Sequence, residues 1–110
     1  MNITIDTYEQ YLHQRYSGWT NEQGLFLKLV EELGEVAEII NMRAGSKKSN
    51  GADLQTELGT ELADMIHYIV AIAAINNIDL TKIMLEKDKK ASAKYRHDTH
   101  LEAFLADKSK

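Results

Sequence analysis

The sequence predicts an all-α fold resembling a four-helix bundle, and three observations carry that expectation. None of the 110 residues is proline, so no segment is denied a helix by a fixed φ and a missing N–H. Four of the six glycines, Gly18, Gly24, Gly45 and Gly51, fall near apparent helix ends or loops, where a missing side chain harms a helix least. Apolar residues recur at steps of three and four, and no run alternates with the period of two that a half-buried strand requires.

The first helix is expected to open at Thr7, where Gln10 three residues on completes a capping box, and to run to about Tyr16 with Tyr8, Tyr11 and Leu12 on one stripe. A second capping box, Thr20 with Gln23, opens the next helix. This one is long, carrying Leu25, Leu29, Leu33, Val36 and Ile40 before Gly45 stops it. The polar stretch 46–52 reads as a loop, and Asp53 caps a third helix with Leu58, Leu62, Met65, Ile69 and Ile72 at helical spacing. Asn76 and Asn77 end it. Asp79 caps a fourth helix through Leu80, Ile83, Met84 and Ala91 to about Arg96, and 97–110 is expected as a loosely ordered tail with a weak turn around 101–105.

The length suits a single domain spanning 1–110. Hydrophobic residues at 44% and charged residues at 27% fit a globular chain. The chain has no cysteine and no basic-then-apolar leader, and its longest purely apolar run, 69–75, is too short to cross a bilayer. A cytoplasmic location with no membrane partner is therefore expected. The formal charge of −4 lacks the basic footprint of a nucleic-acid binder. Without disulfides, stability must come from packing, bound metal or self-association. Helices of this length also leave apolar faces that one small chain does not cover, so a homodimer or homotetramer is expected.

The chemistry is concentrated in the two long helices. Glu32 with Glu35, and Glu61 with Asp64, are each three residues apart and so share a helix face. At about 100° per residue each pair lies roughly 90° around from the centre of its apolar stripe. If the two helices pack antiparallel through those stripes, four carboxylates converge at one border. Such a cluster repels itself unless a cation neutralises it or some groups stay protonated. Oxygen-only ligation points to Mg²⁺, with Mn²⁺ as the alternative, ahead of Zn²⁺. On geometry alone a solvated acidic edge remains an equal reading.

The run Glu31-Glu32-Leu33-Gly34-Glu35, followed later by Glu61-Leu62-Ala63-Asp64, resembles the EExxE and ExxD signature of MazG-like pyrophosphohydrolases. The flanks agree: Lys28, Leu29 and Val30 before the first motif, Val36, Ala37 and Glu38 after it, and Met65, Ile66, His67 and Tyr68 after the second. The resemblance covers about 25–78 and continues more loosely through the fourth helix. It implies an oligomeric helical bundle in which Glu32, Glu35, Glu61 and Asp64 hold Mg²⁺. The implied reaction is water attack at the α-phosphorus of a nucleoside triphosphate, giving the monophosphate and pyrophosphate as a step of nucleotide-pool cleansing. Glu31 belongs to the motif but points away from the pair, and it stands with Glu35 as a candidate catalytic base.

Other residues carry weaker signals. Glu57 lies one turn before Glu61 and either assists it or complements the helix dipole. Lys87 and Lys94 share the apolar face of the fourth helix and are candidate triphosphate-binding residues. Lys89, Lys90 and Arg96 read as a solvated face, and Lys47 and Lys48 as part of a polar loop. Tyr8, Tyr11, Tyr16 and Trp19 offer stacking surfaces for a base but read more simply as packing residues. His67 lacks a partner that would make it a ligand, so it reads as a flank position. Alternatives are a phosphoribosyl-ATP pyrophosphohydrolase, a di-iron carboxylate bundle whose Glu-x-x-His motifs this chain lacks, and a non-catalytic helical dimerisation module.

Overall fold

The computed structural model describes residues 1–45 and 53–108, and these form five α-helices with no strand among them. The expected loop at 46–52, with Lys47, Lys48 and Gly51, lies outside the described residues. Helix α1 spans Ile5–Arg15, α2 Glu22–Arg43, α3 Leu54–Ile75, α4 Leu80–Lys94 and α5 Leu101–Lys108.

Two helix starts differ from the sequence reading. α1 is capped by Thr4, not Thr7: the Thr4 hydroxyl accepts from Thr7 N at 3.0 Å, and Thr7 Oγ1 accepts from Thr4 N at 3.3 Å. Thr7 thus serves as the reciprocal member of an earlier box, while Gln10 donates to Asp6 at 3.1 Å instead. α2 is capped by Asn21, not Thr20, with Asn21 Oδ1 accepting from Gly24 N at 2.9 Å. A Cβ on Gly24 would collide with that Asn21 side chain, so the glycine makes room for the cap. Asp53 and Asp79 cap α3 and α4 as the sequence indicates, accepting from Thr56 N and Lys82 N, each at 3.1 Å. Gly45, at φ +80, follows the end of α2.

The long helices α2 and α3 run antiparallel. Asn76 Nδ2 donates to Glu22 Oε1 at 2.6 Å at one end of the pair, and Glu32 faces Glu61 and Asp64 further along. α1 lies across α3, and Leu12, Leu25, Val70, Ala71 and Ala74 form the core with Tyr8, Tyr16, Tyr68 and Leu80 around it. α4 packs chiefly on α1 and α5, so one chain does not close a four-helix bundle. At 101–108 the expected weak turn is a complete helix, held where Leu101 N donates to Asp88 Oδ2 at 2.6 Å and Lys89 meets Glu102 at 3.8 Å.

The inward row of α2 is Leu25, Leu29, Glu32, Val36 and Ile39; Leu58, Glu61, Met65, Tyr68 and Ile72 form that of α3. The sequence reading placed Leu33, Ile40, Leu62 and Ile69 inward as well, yet all four are 43% or more exposed. Each long helix carries an apolar band wider than one contact face, and the chain buries only its acidic-side half. Glu32 and Glu61 therefore belong to the packed row, closer to the helix contact than the expected quarter-turn offset.

Candidate metal centre

A carboxylate oxygen from each of Glu32, Glu61 and Asp64 lies within 4.8 Å of the others, and all three residues are partly buried. Helix spacing explains the grouping: Glu61 and Asp64 are one turn apart on α3, and the antiparallel register brings Glu32 opposite them. Glu35, one turn after Glu32, stands within hydrogen-bond reach of Glu61. The four acids singled out in the sequence thus meet at one place.

Charge dominates this place. Counted as ionised, Oε2 of Glu32 and Oε2 of Glu61 are buried with no donor, a costly state for a charged oxygen. Glu61 is pushed up to about 8, first by a hydrogen bond with Glu32 and one with Glu35, then by burial and the negative charge of the same two groups. A carboxylate can donate such a bond only while protonated. A shared proton or a cation relieves the clash, and a hard divalent ion suits a donor set made wholly of carboxylate oxygens. The residues fit Mg²⁺ or Mn²⁺ on that ground.

The remaining candidates are dispersed. Glu31 is exposed and pairs with Lys28 at 3.4 Å. Glu57 is exposed on the first turn of α3. Lys87 and Lys94 are exposed on α4, with Lys94 Nζ 5.4 Å from the Tyr95 ring centroid, and no described contact within the chain joins them to the acids.

Sequence spacing did not reveal the aromatic group beside the acids. His67, one turn after Asp64, sits between two hydroxyls of the α1 segment: Tyr16 Oη is 2.7 Å from Nε2 and Tyr8 Oη 3.4 Å from Nδ1. With both ring nitrogens engaged, His67 is not free to bind a metal through either, in line with its sequence reading as a flank position. Burial, then Arg15, holds its imidazole below the usual value while Asp64 pulls the other way. Tyr16 and Tyr68 pack edge-on to the His67 ring, and Trp19 meets Tyr16 edge-on while donating to Asn21 O at 3.0 Å. Tyr8 and Tyr16 are packing residues, whereas Tyr11 and Trp19 are about half exposed.

Residues 20–99 match the family model described as the MazG nucleotide pyrophosphohydrolase domain, a span that contains all four acids. Over 73 residues the chain is 27% identical to a Bacillus subtilis (strain 168) protein called Uncharacterized protein YpjD. That alignment covers 66% of this chain and 64% of the relative, so the chain spans less than two thirds of the relative's length. No solved structure matches.

Proposed function

Because the chain belongs to the MazG nucleotide pyrophosphohydrolase domain family, we propose that it hydrolyses a nucleoside triphosphate to the monophosphate and pyrophosphate, with Mg²⁺ or Mn²⁺ held by Glu32, Glu61 and Asp64. The observation that supports this reading is the meeting of three carboxylates within 4.8 Å with two of their oxygens buried and unpaired. A protein of this size accepts such repulsion where a cation and its polyphosphate ligand resolve it.

The bound ion would neutralise phosphoryl oxygens and lower the barrier to nucleophilic attack. The residues of the chain do the rest. Glu32, Glu61 and Asp64 fix where the polyphosphate lies, and Glu35, beside Glu61, extends the ligand set or accepts the proton of the attacking water. Glu31 is the other candidate base, but its pairing with Lys28 makes Glu35 the better placed. The water oxygen bonds to the α-phosphorus, the bond from that phosphorus to the bridging oxygen breaks, and pyrophosphate leaves with the electron pair. Lys87 and Lys94, exposed on α4, are the candidate partners for the phosphate oxygens. Removal of aberrant or surplus nucleotides is the role that analogy with the family suggests.

The test is pyrophosphate release across ribo- and deoxyribonucleoside triphosphates, in millimolar Mg²⁺ and in chelator, in water enriched in ¹⁸O. Metal-dependent release with the label in the monophosphate is the expected result. Label in the pyrophosphate, or no release from any substrate, overturns the proposal.

A further inference from the structure

Tyr8, Leu12 and Arg15 stand at i, i+4 and i+7 on α1, so the stripe of that helix that packs on α3 is continued by a guanidinium. Leu12 is fully buried one turn before Arg15, and Tyr16 N donates to Leu12 O at 2.8 Å just after it. The backbone that bears Arg15 is thereby anchored, while the side chain is exposed.

The guanidinium lies within hydrogen-bond reach of the Tyr11 and Tyr16 hydroxyls. Tyr16 Oη is in turn 2.7 Å from His67 Nε2, and His67 stands one turn from Asp64 on α3. The imidazole feels both charges, Arg15 holding its value down and Asp64 pulling it up. Arg15 and Asp64 thus act on one ring, yet among the described residues no ion pair joins Arg15 to a carboxylate.

We infer that Arg15 binds the polyphosphate of the substrate, its guanidinium taking non-bridging phosphate oxygens beside the acid centre. The identity of the ligand rests on the hydrolytic reading.

Charge favours this role. Glu32, Glu35, Glu61 and Asp64 make the centre strongly negative, and a nucleoside triphosphate adds more negative charge, so one divalent ion leaves an excess. A cation from the chain offsets it. Lys28 is committed to Glu31 at 3.4 Å, and no described contact joins Lys87 or Lys94 to the acids. Arg15 is linked to the centre through Tyr16 and His67. Its planar fork suits bidentate contact with phosphate, and phenol oxygens orient it without cancelling its charge.

The last turn of α1 favours positive charge in any case, through the helix dipole. That accounts for a cation at this position but not for its link to His67: His13, in the same turn, instead meets Asn77 at 3.1 Å, beyond the end of α3. Arg15 also precedes residues 20–99, so the family match does not include it.

Steady-state kinetics and titration calorimetry on the full chain with Arg15→Gln and Arg15→Lys test the assignment. Arg15→Gln is expected to raise KM for triphosphates at least about tenfold and to weaken tripolyphosphate binding in Mg²⁺ by a similar factor. The rise in melting temperature that Mg²⁺ alone produces should be undiminished. Arg15→Lys, which keeps the charge and loses the fork, should recover part of the loss. Arg15 is exposed, so helix content should hold by circular dichroism; should it fall, Arg15→Met replaces Arg15→Gln. An unchanged KM, or no recovery in Arg15→Lys, overturns the assignment. So does a lost Mg²⁺ response, which would make Arg15 a structural support of the centre, or a loss confined to nucleoside triphosphates, which would place it against the nucleoside. If the parent hydrolyses no triphosphate, the hydrolytic reading fails and tripolyphosphate binding decides alone: weaker binding by Arg15→Gln supports the role of Arg15, and equal or absent binding overturns it.

Discussion

The Tyr16 hydroxyl lies 2.7 Å from Nε2 of His67 across 51 residues of sequence, tying α1 to α3 one turn from Asp64. Tyr16→Phe removes that bond and is expected to lower stability by about 1 kcal/mol, read as a fall of several degrees in melting temperature. Tyr8→Phe should cost less, because its hydroxyl is 3.4 Å from the ring. Equal melting temperatures for parent and Tyr16→Phe would show that the bond contributes nothing.

The same histidine sets an acid-side dependence. Burial and Arg15 lower its folded value below 6.5, so the stability it contributes is present above pH 6.5 and is lost as the pH falls through the lowered value. Replacing it by phenylalanine should flatten that part of a melting-temperature profile. A profile unchanged by the substitution would remove His67 as its cause.

Glu61 acts in the opposite direction in metal-free protein. Its folded value, about 8, stands above the ordinary 4.5, so the protonated form is favoured on folding. That contribution is complete below pH 4.5 and is lost as the pH rises to about 8. Glu61→Gln should abolish the alkaline decline. Mg²⁺ should raise the melting temperature by binding the native state, and at pH 7 it should release about one proton per chain as it displaces the one on Glu61. Titration calorimetry in buffers of different ionisation enthalpy measures that release, and an absence of proton release would contradict the linkage.

Asp64→Asn and Glu35→Gln are each expected to reduce pyrophosphate release at least about a hundredfold with helix content unchanged, since each removes a negative charge at a partly exposed site. Parent-level turnover in Asp64→Asn would dismiss the ligand assignment.

Leu12 is fully buried against α3. Leu12→Ala is expected to destabilise by about 2–5 kcal/mol, a large part of the total for a domain of this size. Chemical denaturation measures it directly, and a loss below 1 kcal/mol would mean that α1 packs less tightly than its burial implies.

Helix identity was legible because proline is absent and apolar spacing is regular, and the acid site was legible because two i, i+3 pairs repeat on neighbouring helices. Cap positions were less so: Thr4 competes with Thr7 three residues on and Asn21 with the adjacent Thr20, and hydrogen-bond geometry decides between them. The inward row was misread at Leu33, Ile40, Leu62 and Ile69 because a band of apolar residues does not say which of its edges meets its own chain. The Tyr8–His67–Tyr16 group was invisible because its members are 51 and 59 residues apart. Lys87 and Lys94 remain expectations, since both are exposed on α4 and no described contact joins them to the acids.

The Asn76 to Glu22 bond marks how far α2 and α3, packed through their inward rows, have slid past one another. A slip of a single turn, about 5.4 Å, would leave every helix intact and still carry Asp64 out of range of Glu32. Ion affinity is thus a gauge of alignment: a substitution at the open end of the hairpin, far from Glu32, Glu61 and Asp64, can silence the centre without touching it.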